Sequence, residues 1–518
     1  ISLYIVGGHI MKKLLSLVLA LCLALSLLSV ASAEIKGGTV IEATPELYAA
    51  TNLSSPYTVN IFLIGDKPND WDRIEGLIND YLKPFNTSIA TTFSSWSDYT
   101  TMYSLSLTGS DYDLIFTAPW CYLYTEAPKG SFYTLTEDFI ATYMPLTKQY
   151  QAEASWDETT IGGQIVAVPS NVAQPMGKMV AIRQDIADKY GISSIDSWED
   201  YMNFCLTVAE KETPESGIYA MAASGNNNEL WDVYREGYDT MLATDSDYFD
   251  MIYCYDGKTL PTFEDISFTY ATDIFRNYCK DMKTLADAGC WSRSALTNTI
   301  TDDDAFGNLQ GASIAWNTSV FTYMKQAEKT EGVYCTAYDF QKDHFVGAEA
   351  YSNNDMAITA GSRNPERAAM VLDIMKMDTY VNHMLILGVE GENYTVDSEG
   401  YFTKLDQTNY PSFLVSASWA IKNGDLNEAG APEREQAISD AWQARVMNNP
   451  TVTFVFDDTN VKPYLSAVKV VLENYVPMLE LGLVDDVDAT LDQMVKECYD
   501  NGMQIILDEY KTQYDAWY

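Results

Sequence analysis

The sequence predicts an α/β protein, and three observations carry the prediction. Apolar β-branched runs alternate with segments of helical period from residue 57 onward. The chain is 518 residues long, 47% hydrophobic and 13% aromatic. At about 100–200 residues per domain that is material for two or three packed units. Gly162-Gly163, an apolar run and Pro169 then mark a crossing into a further unit.

Residues 58–64 are a β-branched apolar run and the first strand. In 71–82, Trp71, Ile74, Leu77, Ile78 and Leu82 recur at helical spacing. Residues 89–93 read as a strand, 98–107 as a helix and 114–117 as a buried strand, a βαβαβ succession that implies a parallel sheet under helices. Residues 165–168 form the crossing strand, with Pro169 as its stop. Residues 178–183 are a strand. Asp196, with Glu199 three residues on, marks a helix running towards residue 212. Residues 218–222 are a strand ending in Ser224-Gly225-Asn226-Asn227, and 268–288 are a long helix with Ile274, Tyr278 and Met282 on one side. Gly311 opens a strand over 312–316. The chain returns to the first unit near 348–360, and Asn364-Pro365-Glu366-Arg367 starts a helix ending near residue 377. From Pro411 the pattern is mainly helical, with a strand-like 451–456. No internal repeat is present.

The N-terminus carries an address. Lys12-Lys13, the apolar run 14–30 and Ala31-Ser32-Ala33 have the order of a secretory signal peptide cleaved after Ala33, with the start at Met11 and residues 1–10 upstream of it. No stop-transfer charges follow, so a spanning helix is not expected. Cys22 follows Leu21, where a lipidation site wants a small side chain, so no lipid anchor is expected. Residues 34–56, rich in Gly, Thr, Ser and Ala, read as a leader that holds the domain off the cell surface.

Composition excludes several functions. Lys+Arg total 32 against Asp+Glu 73, a formal charge of −41 and a pI near 4.2. That field repels phosphate backbones and anionic headgroups, which argues against nucleic acid and membrane surfaces as partners. Three His disfavour His-rich metal sites and His-dependent catalysis. Seven cysteines follow the cleavage site, without a C-x-x-C pair. They read as small buried hydrophobes rather than as a disulfide framework. Asp302-Asp303-Asp304 and Asp245-Ser246-Asp247 lack the calcium-loop spacing, and no metal or cofactor is expected.

Further features fall in a recognisable order. They begin with Trp96-Ser97-Asp98-Tyr99, Tyr112-Asp113-Leu114-Ile115-Phe116-Thr117, Gly130-Ser131-Phe132 and Gly163-Gln164-Ile165-Val166-Ala167-Val168-Pro169. Later come Ser362-Arg363-Asn364-Pro365-Glu366-Arg367-Ala368 and Gly388-Val389-Glu390-Gly391-Glu392-Asn393-Tyr394. The series ends in Val461-Lys462, Tyr475-Val476-Pro477, Leu481-Gly482 and Glu509. From residue 58 to the C-terminus the chain resembles an extracellular solute-binding protein of an ABC importer, of the sugar-binding kind with an extra C-terminal domain of unknown function. The absent lipidation site departs from many such proteins. The resemblance implies a two-lobed periplasmic-binding-protein-like type II fold with a helical C-terminal region. It implies hinge closure on a ligand and docking of the closed monomer on permease subunits. The chain then divides into 1–33, upstream residues plus signal peptide; 34–56, leader; 57–167, first part of lobe 1; 168–347, main part of lobe 2; 348–400, return to lobe 1; and 401–518, a mainly helical region completing both lobes.

Ligands of open α/β sheets bind beyond the carboxyl ends of strands. Sugars offer C–H faces to aromatic rings and hydroxyls to Asp, Asn and Ser. The candidate ligand residues are therefore Asp66, Trp96, Trp120, Ser170, Asn171, Asn226, Asn227, Trp316, Asn317 and Tyr351, with Trp120, Trp316 and Tyr351 the leading stackers. Trp71 and Trp198 at helix starts read as packing, and Arg183 as a salt-bridge partner rather than an anion contact. No catalytic residue is assigned. The rival enzyme is a secreted glycoside hydrolase with a carboxylate pair, which no local signature supports. A Ser or Cys hydrolase lacks G-x-S-x-G. A peptide or other non-sugar solute is the alternative ligand within the binding class.

Overall fold

A computed structural model describes residues 35–518 apart from 36, 97, 224–227, 245–248, 299 and 431. The expected signal peptide, the Asn226-Asn227 pair and the Asp245-Ser246-Asp247 cluster lie outside the described residues. No described helix is long and apolar enough to cross a membrane.

The first lobe is built on a five-stranded sheet. Tyr57–Ile64 runs parallel to Thr87–Ser94 on one side and to Leu114–Thr117 on the other. Asp355–Ile358, returning from the second lobe, is inserted antiparallel beside Leu114–Thr117, and Val168–Pro169 closes the edge. Pro169 is thus the last paired residue of its strand, at a sheet edge where its missing N–H breaks no ladder bond. The expected helices form at Trp71–Tyr81 and Tyr99–Ser106. Pro365–Met377 is buried from Arg367 to Met377, with Asn364 capping its start by accepting from Arg367 N at 3.1 Å.

The second lobe centres on Met179–Arg183, flanked antiparallel by Ser313–Trp316 and Cys335–Tyr338. Tyr201, Phe204, Trp231, Phe275 and Tyr278 belong to its main core, and Phe306, Val320, Met324 and Trp442 form a smaller one around Met179 and Ala181. The helices Lys462–Glu480, Val487–Asp500 and Met503–Trp517 add their apolar faces to the main core. Trp71 is core, and Trp198 donates to Asp281 at 2.9 Å while packing on Tyr234. Arg183 is paired with Asp185 at 2.6 and 2.8 Å. All seven described cysteines are free, and only Cys254 is exposed.

Several expectations need correction. Residues 218–222 form no strand, only a bridge from Tyr219 to Gly311. Residues 451–456 are irregular, because Phe454 and Phe456 turn into the rings of Tyr510 and Tyr514 instead of entering a ladder. The helix after Asp196 is capped by Ser197, whose hydroxyl accepts from Asp200 N. Residues 34–56 are not a free leader, since Ile35, Ile41, Ala43 and Tyr48 are buried in the first-lobe core. Tyr48 OH donates to Asp373 at 2.8 Å, and Ala43 N to Asp378 at 2.8 Å. Small polar residues set the segment's composition, but four apolar side chains decide its fate.

Candidate functional site: the cleft and its hinge

Three ribbons join the lobes, after Pro169, before Asp355 and after Ala420. Their first-lobe ends meet at one buried lysine. Lys376 Nζ donates to Pro169 O at 2.6 Å and Ala420 O at 3.1 Å. Burial lowers its pKa to about 7, opposed by the nearby carboxyl of Asp355. Asp355 heads the strand that the second ribbon enters. It is fully buried, and burial beside Glu158 holds its carboxyl well above the ordinary range.

Predicted residues sit in this hinge. Ser170 N donates to Tyr351 O at 3.1 Å and Asn354 O at 3.2 Å. Asn171 accepts from Ala152 N at 2.7 Å and donates to Tyr150 O and Asn423 O at 3.0 and 3.3 Å. These groups stitch ribbon to ribbon. Tyr351 begins a short 3-10 turn, Tyr351–Asn353. The structure brings none of Ser170, Asn171, Tyr351 or Asp66 to the recesses described next.

Trp120 and Trp316 face one cavity of about 530 Å3 from opposite lobes. Trp120 lies in the turn after Leu114–Thr117, 42% exposed, and its Nε1 donates to Asn353 O at 2.8 Å. Trp316 ends its strand, with Lys178 Nζ 4.5 Å from the ring centroid. Asn317, Asp232, Arg235, Glu236 and Glu349 belong to the polar lining. Burial pushes the Glu236 carboxyl up to about 8, against the pull of Lys178 and Arg235. Glu349 Oε1 accepts from Asn353 at 2.6 Å, while its Oε2 is buried without a hydrogen-bond partner.

Two further recesses share walls with this cavity. One, of about 700 Å3, lies between Tyr99, Trp120 and Tyr122 of the first lobe and Phe249, Lys462 and Leu465 of the second. The other, of about 1010 Å3, shares Asn317 and includes Trp419, Lys422, Lys325 and Glu435. Trp96, 46% exposed, stacks on Trp419 at 6.1 Å and 17° and stands 6.4 Å from Trp120. That indole lies against Gly65, whose φ of +98° is a conformation that L side chains rarely adopt. The result is an aromatic row along a groove of adjoining recesses. Strand-end reasoning missed Trp419, which sits inside the helix Ser416–Ala420, and Lys178, Glu349 and Asn353, which belong to the ribbons.

Fold and groove define a two-lobed solute-binding protein architecture. Residues 450–518 match a domain of unknown function, DUF3502. A carbohydrate ABC transporter substrate-binding protein of Streptococcus pneumoniae serotype 4 (strain ATCC BAA-334 / TIGR4) is 21% identical over 472 residues, covering 89% of this chain and 90% of that one. Among solved structures, the N-glycan transport solute binding protein NgtS of Streptococcus pneumoniae superposes with a TM-score of 0.70 at 18% identity, over 89% of this chain and 99% of that one. The alginate-binding protein AlgQ2 superposes at 0.64 with 15% identity, over 93% and 100%.

Proposed function

We propose that this protein captures an oligosaccharide in the inter-lobe groove and delivers it, chemically unchanged, to an ABC permease. The observation that carries this is the pair of indoles, Trp120 and Trp316, held by opposite lobes on one cavity. Each ring has a face for a pyranose, and Asn317, Asp232 and Glu349 are spaced around them for hydroxyls. The groove extends past both rings, which favours several sugar units over one. Its relatives are substrate-binding proteins rather than enzymes, one named for carbohydrate and one for N-glycan transport, which supports the ligand class.

Ligand bridging the lobes shifts an open–closed equilibrium, for which about 5 kcal/mol of differential binding suffices. Export with cleavage after Ala33, action as a monomer at the outer face of the membrane, and docking of the closed form on permease subunits complete the proposal. The test is a glycan panel that includes kestose and Man5GlcNAc, read by melting temperature and by released reducing ends. Saturable stabilisation without product supports capture. Product release that one carboxylate substitution abolishes supports a hydrolase instead.

A further inference from the structure

A further cavity lies on the first lobe; it shares Asp425 with the 1010 Å3 recess and no lining residue with the Trp120–Trp316 cavity. It holds about 540 Å3 between residues 38–42 and the helix Thr379–Leu387 with the turns that follow. The wall formed by residues 38–42 is fixed. Thr379 N donates to Ile41 O at 2.9 Å, and Ile41 N donates to Thr379 Oγ1 at 2.8 Å. A Cβ on Gly38 would stand 2.1 Å from Ser398 O, so backbone meets backbone there without side chains between. The cavity therefore exists before anything enters it.

Its chemistry differs from that of the groove. Tyr81 and Tyr380 stack at 5.4 Å and 29°, and Tyr394 meets His383 edge-on at 6.3 Å. Val40, Met384, Val389 and Val396 supply an apolar body. Five carboxylates line it and no Lys or Arg does. Asp378 is occupied by Tyr81 OH and Ala43 N, and Asp425 by His383 at 2.8 Å. Glu42 and Glu390 are exposed at the rim and make no hydrogen bond to a described residue. Glu42 and Asp378 both act on the Tyr81 hydroxyl, and Glu390 and Asp425 on that of Tyr394. Rings and unneutralised carboxylates thus converge on the same space. Electron-rich ring faces and free carboxylates attract a cation, whereas an anion is repelled.

We propose that this cavity binds a small organic cation with an apolar body, an aryl- or alkylammonium. The tyrosine rings take the body, and the Glu42 and Glu390 carboxylates take the charge. None of Tyr81, Tyr380, Glu42 or Glu390 lines the recesses of the glycan groove, so the proposal stands whether or not that reading holds.

The test is calorimetric titration of the full mature chain with benzyltrimethylammonium, spermidine and neutral benzyl alcohol, at physiological salt. Benzyltrimethylammonium should saturate a single site and bind at least tenfold tighter than benzyl alcohol. Glu42→Gln with Glu390→Gln, and separately Tyr380→Ala, should each weaken it about tenfold. These positions are exposed, Tyr380 by 50%, so folding is preserved and is checked by melting temperature. The double variant should keep the parent's glycan profile. Unchanged affinity in the double variant would mean diffuse attraction to an acidic surface and would overturn the proposal. So would equal binding of benzyl alcohol, spermidine binding that Tyr380→Ala leaves intact and that matches the aryl cation, or no saturation at millimolar concentration.

Discussion

Replacing Trp120 with Ala isolates the contribution of one groove ring. The residue is 42% exposed. A Trp presents up to about 250 Å2, so roughly 100 Å2 of it faces solvent, and a sugar on one face covers about half of that. At about 25 cal/mol per Å2 the covered face contributes about 1.3 kcal/mol. The ring's C–H-facing geometry adds about 0.5–1 kcal/mol, giving a total near 2 kcal/mol, or about a thirtyfold loss of affinity. Stability changes less, because the ring is half outside the core and the lost anchor is one hydrogen bond to Asn353 O, about 1 kcal/mol. Trp120→Phe keeps a stacking face and should lose under tenfold. The assay is isothermal titration with the tightest glycan of the panel, alongside melting curves. If Trp120→Ala and Trp316→Ala both bind within threefold of the parent, the groove does not use these rings and the reasoning fails.

Three more outcomes follow from buried groups. Burial, with repulsion from Asp302, holds Glu229 at about 7; burial, with repulsion from Asp303, holds Asp302 at about 6; and burial holds Asp373 at about 6, all above their unfolded values. The folded state therefore binds more protons between pH 4.5 and 7, and stability should rise as pH falls from 7 to 5. Melting temperatures at constant ionic strength check this, and Asp302→Asn should flatten the slope. Lys376, lowered to about 7, acts in the opposite sense only above that pH. Lys376→Met leaves the carbonyl of Ala420 without its donor and that of Pro169 with only Gln151 Nε2 at 3.4 Å. It should cost about 2 kcal/mol in urea unfolding, after the relieved desolvation of the amine offsets part of the loss. Among the seven free thiols only Cys254 is exposed, so a thiol reagent should label one cysteine in the native protein and seven after denaturation.

Local periodicity made much of the first lobe legible. The run beginning at Tyr57, the Trp71 helix and the Asn364-capped helix form from neighbours within a few turns of chain, and the structure has each of them. Short strands were harder to read. Residues 218–222 have strand composition, yet their partner Gly311 meets them at one bridge only, a limit set by residues some ninety positions away. The site was legible in part. Trp316 ends a strand and Trp120 lies in the turn just after one, so a rule about strand ends reached both. Ser170 and Asn171 obey the same rule and went to the hinge, because two other ribbons pass close enough to use their polar atoms.

Sequence by itself determined the α/β alternation, the acidic surface and the supply of indoles, all of which follow from residue types and short spacings. Only the tertiary structure decided which rings share a groove, that Trp419 joins Trp96, and that the segment after residue 34 docks beside Asp378. Those outcomes depend on contacts between positions from 196 to 335 residues apart, and long-range closure leaves no periodic mark on the chain.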